Sequence, residues 1–315
     1  SRALTRRKTN RFCEEQNLEV VVAFGGGRKE GWRGITYAQA NCLIQDNKDK
    51  YFGNDTCYQF KDPNANLGTS DTLGNFLKFL QTNYPDHQRK ILQLWDHGYA
   101  YLGMALDSIH NDDLISLPEL KEAFAQSDLK VNLINFDACL MASLEVANTI
   151  KDYADYMVAS EELEPGHGWN YNDYIHILAK NSNADFVEIG KKLVDSFLDH
   201  PSHQKKRFKT LSLIDLGQVK NVIHQLDQLL TELNVKGFDS LLQTVESAQK
   251  YGQEIQSDVA YSMDLIHWLD NLQRTSPGAT STASQTLKIV SQIVLYNRHD
   301  ESRPNSNGIA IYSLD

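Results

Sequence analysis

The sequence predicts an α/β domain with a mostly parallel central sheet and helices on both faces. Three observations carry this. Strand-length apolar runs alternate with segments whose apolar residues recur every three or four positions, the rhythm of parallel strands joined by crossover helices. The runs Glu19–Phe24, Ile91–Trp95, Val131–Phe136 and Tyr156–Ser160 are each followed at once by glycines or by polar and charged residues. The chain of 315 residues, 41% hydrophobic and 23% charged, is long enough for one extended core.

Taken in order, EVVVAF (19–24) reads as a buried strand entering a tight loop at Gly25, Gly26 and Gly27. A phosphate-loop reading of these glycines lacks the GK[ST] ending. Thr69 or Ser70 can cap a helix whose apolar residues Leu73, Phe76, Leu77 and Leu80 follow a 3.6-residue period. ILQLW (91–95) is a strand, Met104–Asp107 a short one, and Leu117–Gln126 a helix with Pro118 in its first turn. VNLINF (131–136) is a strand that hands over to a helix from Leu140 to about Tyr153. After the strand Tyr156–Ser160, helices are expected at 170–180, 184–198, 217–232, 238–250 and 282–298, with late strands at Leu211–Leu216 and Ile309–Ser313. Residues 1–17 form a basic tail and 18–315 one domain, with 235–280 as a candidate helical insertion.

Composition narrows function. The formal net charge of −10 excludes nucleic acid as the main partner, because phosphate recognition needs a basic footprint. Arg2, Arg6, Arg7, Lys8 and Arg11 stand without an acidic neighbour in the first eleven residues and read as a solvated tail. No apolar run approaches the roughly 18 residues that span a bilayer, and no signal-peptide core follows the tail, so a targeting segment is expected to be absent or removed. Cys13, Cys42, Cys57 and Cys139 show no metal-finger spacing; a disulfide among the first three is left open.

Two strands end in chemistry. His97 follows ILQLW, and Cys139 follows VNLINF. In open α/β sheets the functional crevice lies beyond the carboxyl ends of the strands, so neighbouring parallel strands bring an imidazole and a thiol to one rim. There the histidine can shuttle the proton while the thiolate attacks a carbonyl carbon. A helix starting just after Cys139 would lower the thiol pKa, and Gly98 would let its own N–H approach an oxyanion. Taken singly, Cys139 reads as a small buried hydrophobe and His97 as a satisfied polar residue. A metal hydrolase using His97, His110 and nearby aspartates lacks an HxxxH or HxH grouping.

The segments LQLWDHG (92–98), NFDACLMASLEVA (135–147) and YMVASEELEPGHGWNY (156–171) resemble the clostripain family of cysteine peptidases, which shares a caspase–hemoglobinase fold with caspases, legumains and gingipains. NYPDH (83–87) and SNGIAIYS (306–313) add outlying matches. The resemblance implies a caspase-like fold and an endopeptidase cleaving after arginine or lysine. It implies His97 as catalytic histidine, Cys139 as nucleophile, and the N–H groups of Gly98 and Cys139 as oxyanion hole. Asp137 matches the acidic residue of the specificity pocket, with Glu161 and Glu162 as further walls. Implied partners are proteins or peptides with exposed Arg or Lys, and the implied location is secreted, periplasmic or bacterial surface. The alternative is a catalytically silent relative that binds basic peptides through Asp137. Gly98-Tyr99-Ala100-Tyr101 departs from the family, whose members tend to be richer in glycine here. No organic cofactor is implied. Calcium is associated with clostripain, but the stretch Asp107–Asp113 lacks the alternation of an EF-hand, and no metal ligand is assigned.

Overall fold

The computed structural model describes residues 18–40, 58–203, 207–236, 239–252, 262–275 and 280–313. The basic tail and Cys13, Cys42 and Cys57 lie outside the described residues. In chain order the strands are β1 (Val21–Gly25), β2 (Ile35–Gln39), β3 (Tyr58–Asp62), β4 (Ile91–Trp95), β5 (Met104–Asp107), β6 (Asp113–Ile115) and β7 (Val131–Asp137). They continue with β8 (Ala154–Ala159), β9 (Thr210–Asp215), β10 (Lys250–Tyr251), β11 (Ser262–Asp264), β12 (Val294–His299) and β13 (Ala310–Tyr312). The helices are α1 (Ser70–Asn83), α2 (Leu117–Ser127), α3 (Leu144–Ile150), α4 (Tyr171–Lys180), α5 (Phe186–Leu198), α6 (Val219–Lys236), α7 (Asp239–Ser247), α8 (Leu265–Thr275) and α9 (Thr280–Ile293).

The chain divides into two compact units. The first draws on the spans Ser1–His87, Met104–Leu129 and Trp169–Asp185. In it β1, β2 and β3 form an antiparallel meander, and β5 pairs with β6. The run read as a buried strand is thus an edge of a small sheet, and β1 is only half-buried. Its glycines close a hairpin, with Gly26 and Gly27 donating their N–H groups to Gly34 and Trp32. Helix α1 is capped by Thr69, which accepts the N–H of Thr72, and α2 opens with a Ser116–Glu119 capping box. The two helices pack against each other.

The second unit holds Gln88–Gly103, Lys130–Gly168 and Phe186–Asp315. Its five-stranded sheet runs in the order β12-β9-β8-β7-β4. Strands β4, β7 and β8 are mutually parallel, whereas β9 is antiparallel to both β8 and β12. The sheet is therefore mixed, with its parallel part at the end that carries His97 and Cys139. Consecutive residues Leu133, Ile134, Asn135, Phe136 and Asp137 of β7 are all buried, so protein covers both faces of this strand. Helix α5 packs along β8, β9 and β12 through a stripe of Ile189, Leu193, Val194 and Phe197. Helices α6, α8 and α9 form a second packed group, in which α9 touches both of the others.

Three further expectations change. The helix read over 282–298 ends at Ile293, and Val294–His299 becomes the edge strand beside β9. Cross-strand pairing overrides the helical period there, as it does when β-branched and aromatic residues meet a free sheet edge. The helix read from Leu140 starts only at Leu144, capped by Ser143, which accepts the N–H of Val146. Leu140 has φ +62°, and the N–H of Ala142 goes to Ser160 while its carbonyl accepts from Ala310. Residues 235–280 carry β10 and β11 as well as helix, and β11 pairs with β13.

Candidate active site

The parallel ladder between β4 and β7 pairs Trp95 with Asp137. Asp96 extends it by donating its N–H to the Asp137 carbonyl. His97 and Cys139 both lie two residues beyond this paired step, on chains leaving adjacent strands about 4.8 Å apart. His97 is exposed, with its own N–H bonded to the Asp96 carboxylate at 2.7 Å. Gly98 is buried, and a β-carbon there would collide with the Cys139 backbone. The two rims are thereby in contact through main chain.

Cys139 is a free, half-buried thiol. Its Sγ accepts the N–H of Glu164 at 3.2 Å. Burial pushes the thiol pKa up, and the negative charges of Glu162 and Asp137 add to the rise; the Glu164 N–H opposes it. The expected lowering by a helix N-terminus is missing because four non-helical residues, Leu140 to Ser143, with Leu140 left-handed, separate Cys139 from α3. The resting thiol is therefore protonated at neutral pH.

Asp137 is 3% exposed at the end of β7. The turn Pro165–Gly168 covers it: Gly168 donates its N–H to the Pro165 carbonyl, has φ +67°, and would drive a β-carbon to 2.6 Å from Asp137 Oδ2. Only glycine suits both the dihedral and this approach.

Glu161 and Glu162 are 1% and 2% exposed and point into protein. Glu162 Oε2 accepts both Nε and Nη2 of Arg303, and its Oε1 accepts the N–H groups of Leu163 and Gly252. Glu161 Oε2 accepts the Gly308 N–H. Burial and the neighbouring charge of Asp264 hold the Glu161 carboxyl well above its ordinary pKa. Asp264 in turn receives the hydroxyl of Tyr251 and both nitrogens of Asn307. Expected as pocket walls, these two glutamates are engaged with Arg303 and with a buried polar cluster.

Sequence reasoning passed over Trp95, whose 58% exposure at the end of a core strand sets it apart from the core aromatics. The run ILQLW marks it only as one more strand residue. Of the two unusual tyrosines, Tyr99 has its ring 6.3 Å from that of His97, and Tyr101 packs on Tyr312 at 4.3 Å. The acidic stretch Asp107–Asp113 does not fit calcium. Asp107 is fully buried and its oxygens accept the N–H groups of Leu67, Ile109 and His110, with His110 Nδ1 at 3.1 Å.

Comparison with known proteins bears on this arrangement. The sequence profile of the clostripain family matches residues 9–311. Clostripain of Hathewaya histolytica is 21% identical over 332 residues, which cover 88% of this chain and 62% of that protein. The chain thus spans less than two thirds of that relative's length. Among solved structures, a secreted C11 cysteine protease from Bacteroides thetaiotaomicron, "iotapain", superposes with a TM-score of 0.72 at 16% identity, covering 97% of this chain and 87% of that one. An inactive zymogen C11 protease from Parabacteroides distasonis gives 0.68 at 19% identity, covering 97% and 85%. At these identities the two structures speak for the fold.

Proposed function

The chain belongs to the clostripain family, and on that premise we propose that it is a cysteine endopeptidase cleaving peptide bonds after arginine or lysine. It has the caspase-like α/β fold of the structures it resembles. The observation that carries the proposal is the Trp95–Asp137 register, from which His97 and Cys139 emerge side by side.

Because the resting thiol is protonated, His97 acts first as general base, taking the Cys139 proton as the thiolate attacks the substrate carbonyl carbon. The N–H groups of Gly98 and Cys139 stabilise the resulting oxyanion. His97 then gives its proton to the leaving amine as the C–N bond breaks, and water hydrolyses the thioester. Asp137 recognises the basic side chain before the scissile bond. Its burial beneath Gly168 sets the negative charge in a low-dielectric setting, where a cationic side chain is favoured over a neutral or acidic one. Trp95 offers an apolar wall at the mouth of the same rim. Glu161 and Glu162 support the loop from within and do not touch substrate. The mechanism needs no organic cofactor. Family membership, with a relative described as secreted, supports a secreted, periplasmic or bacterial-surface location. Among the described residues no helix is long and apolar enough to cross a membrane.

The test is covalent labelling with peptide acyloxymethyl ketones that carry Lys, Arg or Asp at the position before the reactive carbon. Mass spectrometry should find the Lys or Arg adduct on Cys139 and none with Asp. A chain that binds the basic peptides without adduct or turnover is a silent binding protein, and the peptidase reading fails.

A further inference from the structure

We propose that His167, His200 and His203 form a binding site for a transition-metal dication of the zinc class, which ties the Pro165–Gly168 turn to the corner that follows α5. The three side chains offer nitrogen atoms that all lie within 4.8 Å of one another. Their rings converge pairwise, with centroids 4.6 Å apart for His167–His203, 4.7 Å for His200–His203 and 5.7 Å for His167–His200. Imidazole is a preferred ligand of Zn²⁺, and three of them leave one tetrahedral position for water.

The innermost residue is prepared as a ligand. His203 is 0% exposed, packed against the Phe197 ring at 4.7 Å. Its Nδ1 lies 2.7 Å from the Phe197 carbonyl oxygen, a group that only accepts, so the ring proton sits on Nδ1. A backbone carbonyl used in this way is the usual outer partner of a metal-bound histidine, fixing tautomer and ring angle. The lone pair is then on Nε2, which is buried with no hydrogen-bond partner. The Gly168 backbone approaches the ring but completes no hydrogen bond. A buried nitrogen left this way costs free energy, which a bound cation removes.

The other two ligands come from segments built to adjust. His200 and His203 stand three apart in a single 3₁₀ turn, with the His203 N–H bonded to the His200 carbonyl at 2.8 Å. His200 Nδ1 accepts the Ser202 N–H at 3.0 Å, a turn bond given up whether Nδ1 itself binds the metal or takes the ring proton so that Nε2 can. Three nitrogens bound to zinc stand about 3.3 Å apart, so the cluster must tighten slightly. His167 is exposed and sits between Gly166, around which there is open space, and Gly168.

The turn so anchored matters because of what its neighbours touch. Gly168 lies on the Asp137 carboxylate, and Glu164, one residue before the turn, donates to Cys139 Sγ. A metal at His167 therefore holds in place the segment that covers Asp137. The binding site itself does not depend on the peptidase reading.

The experiment uses the full chain carrying Cys139→Ala, so that the active-site thiolate does not compete for metal. Calorimetric titration with ZnCl₂ should give one tight equivalent. Both His167→Ala and His200→Ala, each at a position not fully buried, should weaken it by at least about 100-fold, the upper end of what removing a mere supporting partner does. Co²⁺ should give the visible absorption of a tetrahedral nitrogen-bound ion, lost in the same variants. Amide exchange across residues 163–168 should slow when Zn²⁺ is added. No bound equivalent, or one that survives both substitutions, overturns the site; binding without slowed exchange overturns the tether.

Discussion

A β-carbon at position 98 would stand 2.1 Å from the carbonyl oxygen of Cys139. The loop that carries His97 and the loop that carries Cys139 touch through backbone alone at this point. Gly98→Ala must push them apart, because the opposing atom is main chain and cannot rotate away. Overpacking of this kind costs about 1–3 kcal/mol, and misplacing an oxyanion donor costs roughly 10²–10³ in kcat. Steady-state kinetics with an arginine substrate, beside a urea midpoint, should show the kinetic loss exceeding the thermodynamic one.

Cys139→Ala should abolish peptide cleavage and leave the fold intact, and His97→Ala should be comparably severe, since nucleophile and base act as a unit. More than trace activity in Cys139→Ala would refute the mechanism. The raised thiol pKa adds a second expectation. Alkylation of Cys139 by iodoacetamide in the free protein should be slow at pH 7 and should rise with pH through an inflection above the ordinary thiol value.

Asp137 and Glu162 are both buried carboxylates near the thiol, but different losses follow from removing them. Asp137→Ala, and Asp137→Asn nearly as much, should reduce kcat/KM for Arg and Lys substrates far more than the melting temperature. Glu162→Ala leaves the half-buried Arg303 guanidinium without its carboxylate, breaking from one side an ion pair whose other half is 2% exposed, at a cost up to about 3 kcal/mol. Thermal melts and a substrate panel on the two variants should show opposite patterns.

Glu161 makes a pH prediction with a definite sign. Its folded pKa lies well above the ordinary 4.5, because burial and Asp264 disfavour the charged form. The stability this contributes is fully present below pH 4.5 and is lost as pH rises through the folded value. Glu161→Gln keeps a neutral donor toward Asp264 and removes the titration. The melting temperature of Glu161→Gln minus that of wild type should therefore grow between pH 5 and pH 8; a constant difference sinks the assignment.

Self-cleavage has a predicted location. Between Gly98 and Ala138 the basic residues are Lys121 and Lys130. Lys121 lies inside α2, and Lys130 immediately precedes β7. Either cut requires opening hydrogen-bonded structure. Arg2, Arg6, Arg7, Lys8 and Arg11 offer the alternative. Mass spectrometry after incubation, with Cys139→Ala as control, should find trimming in the first eleven residues. Wild-type fragments beginning at Glu122 or Val131 would overturn this.

The sequence by itself determined where chemistry sits along the chain. ILQLW and VNLINF form strands within one residue of their predicted ends, because apolar runs of that length bury themselves in a sheet whatever their neighbours. His97 and Cys139 follow from those ends. It also offered the cap of α1, Thr69 or Ser70, because a cap depends on a side chain within three residues of the backbone group it satisfies. Tertiary structure decided everything that needs a distant partner. The strand Val294–His299 exists because β9 stands beside it, and the left-handed Leu140 exists because Ser160 and Ala310 hold the chain around Ala142. The fate of Glu162 was set by Arg303, 141 residues away, and the meeting of His167 with His200 and His203 by the folding of a loop onto the end of a helix. Local periodicity records what a segment does with its own backbone. It carries no record of which remote side chain loop closure will bring against it.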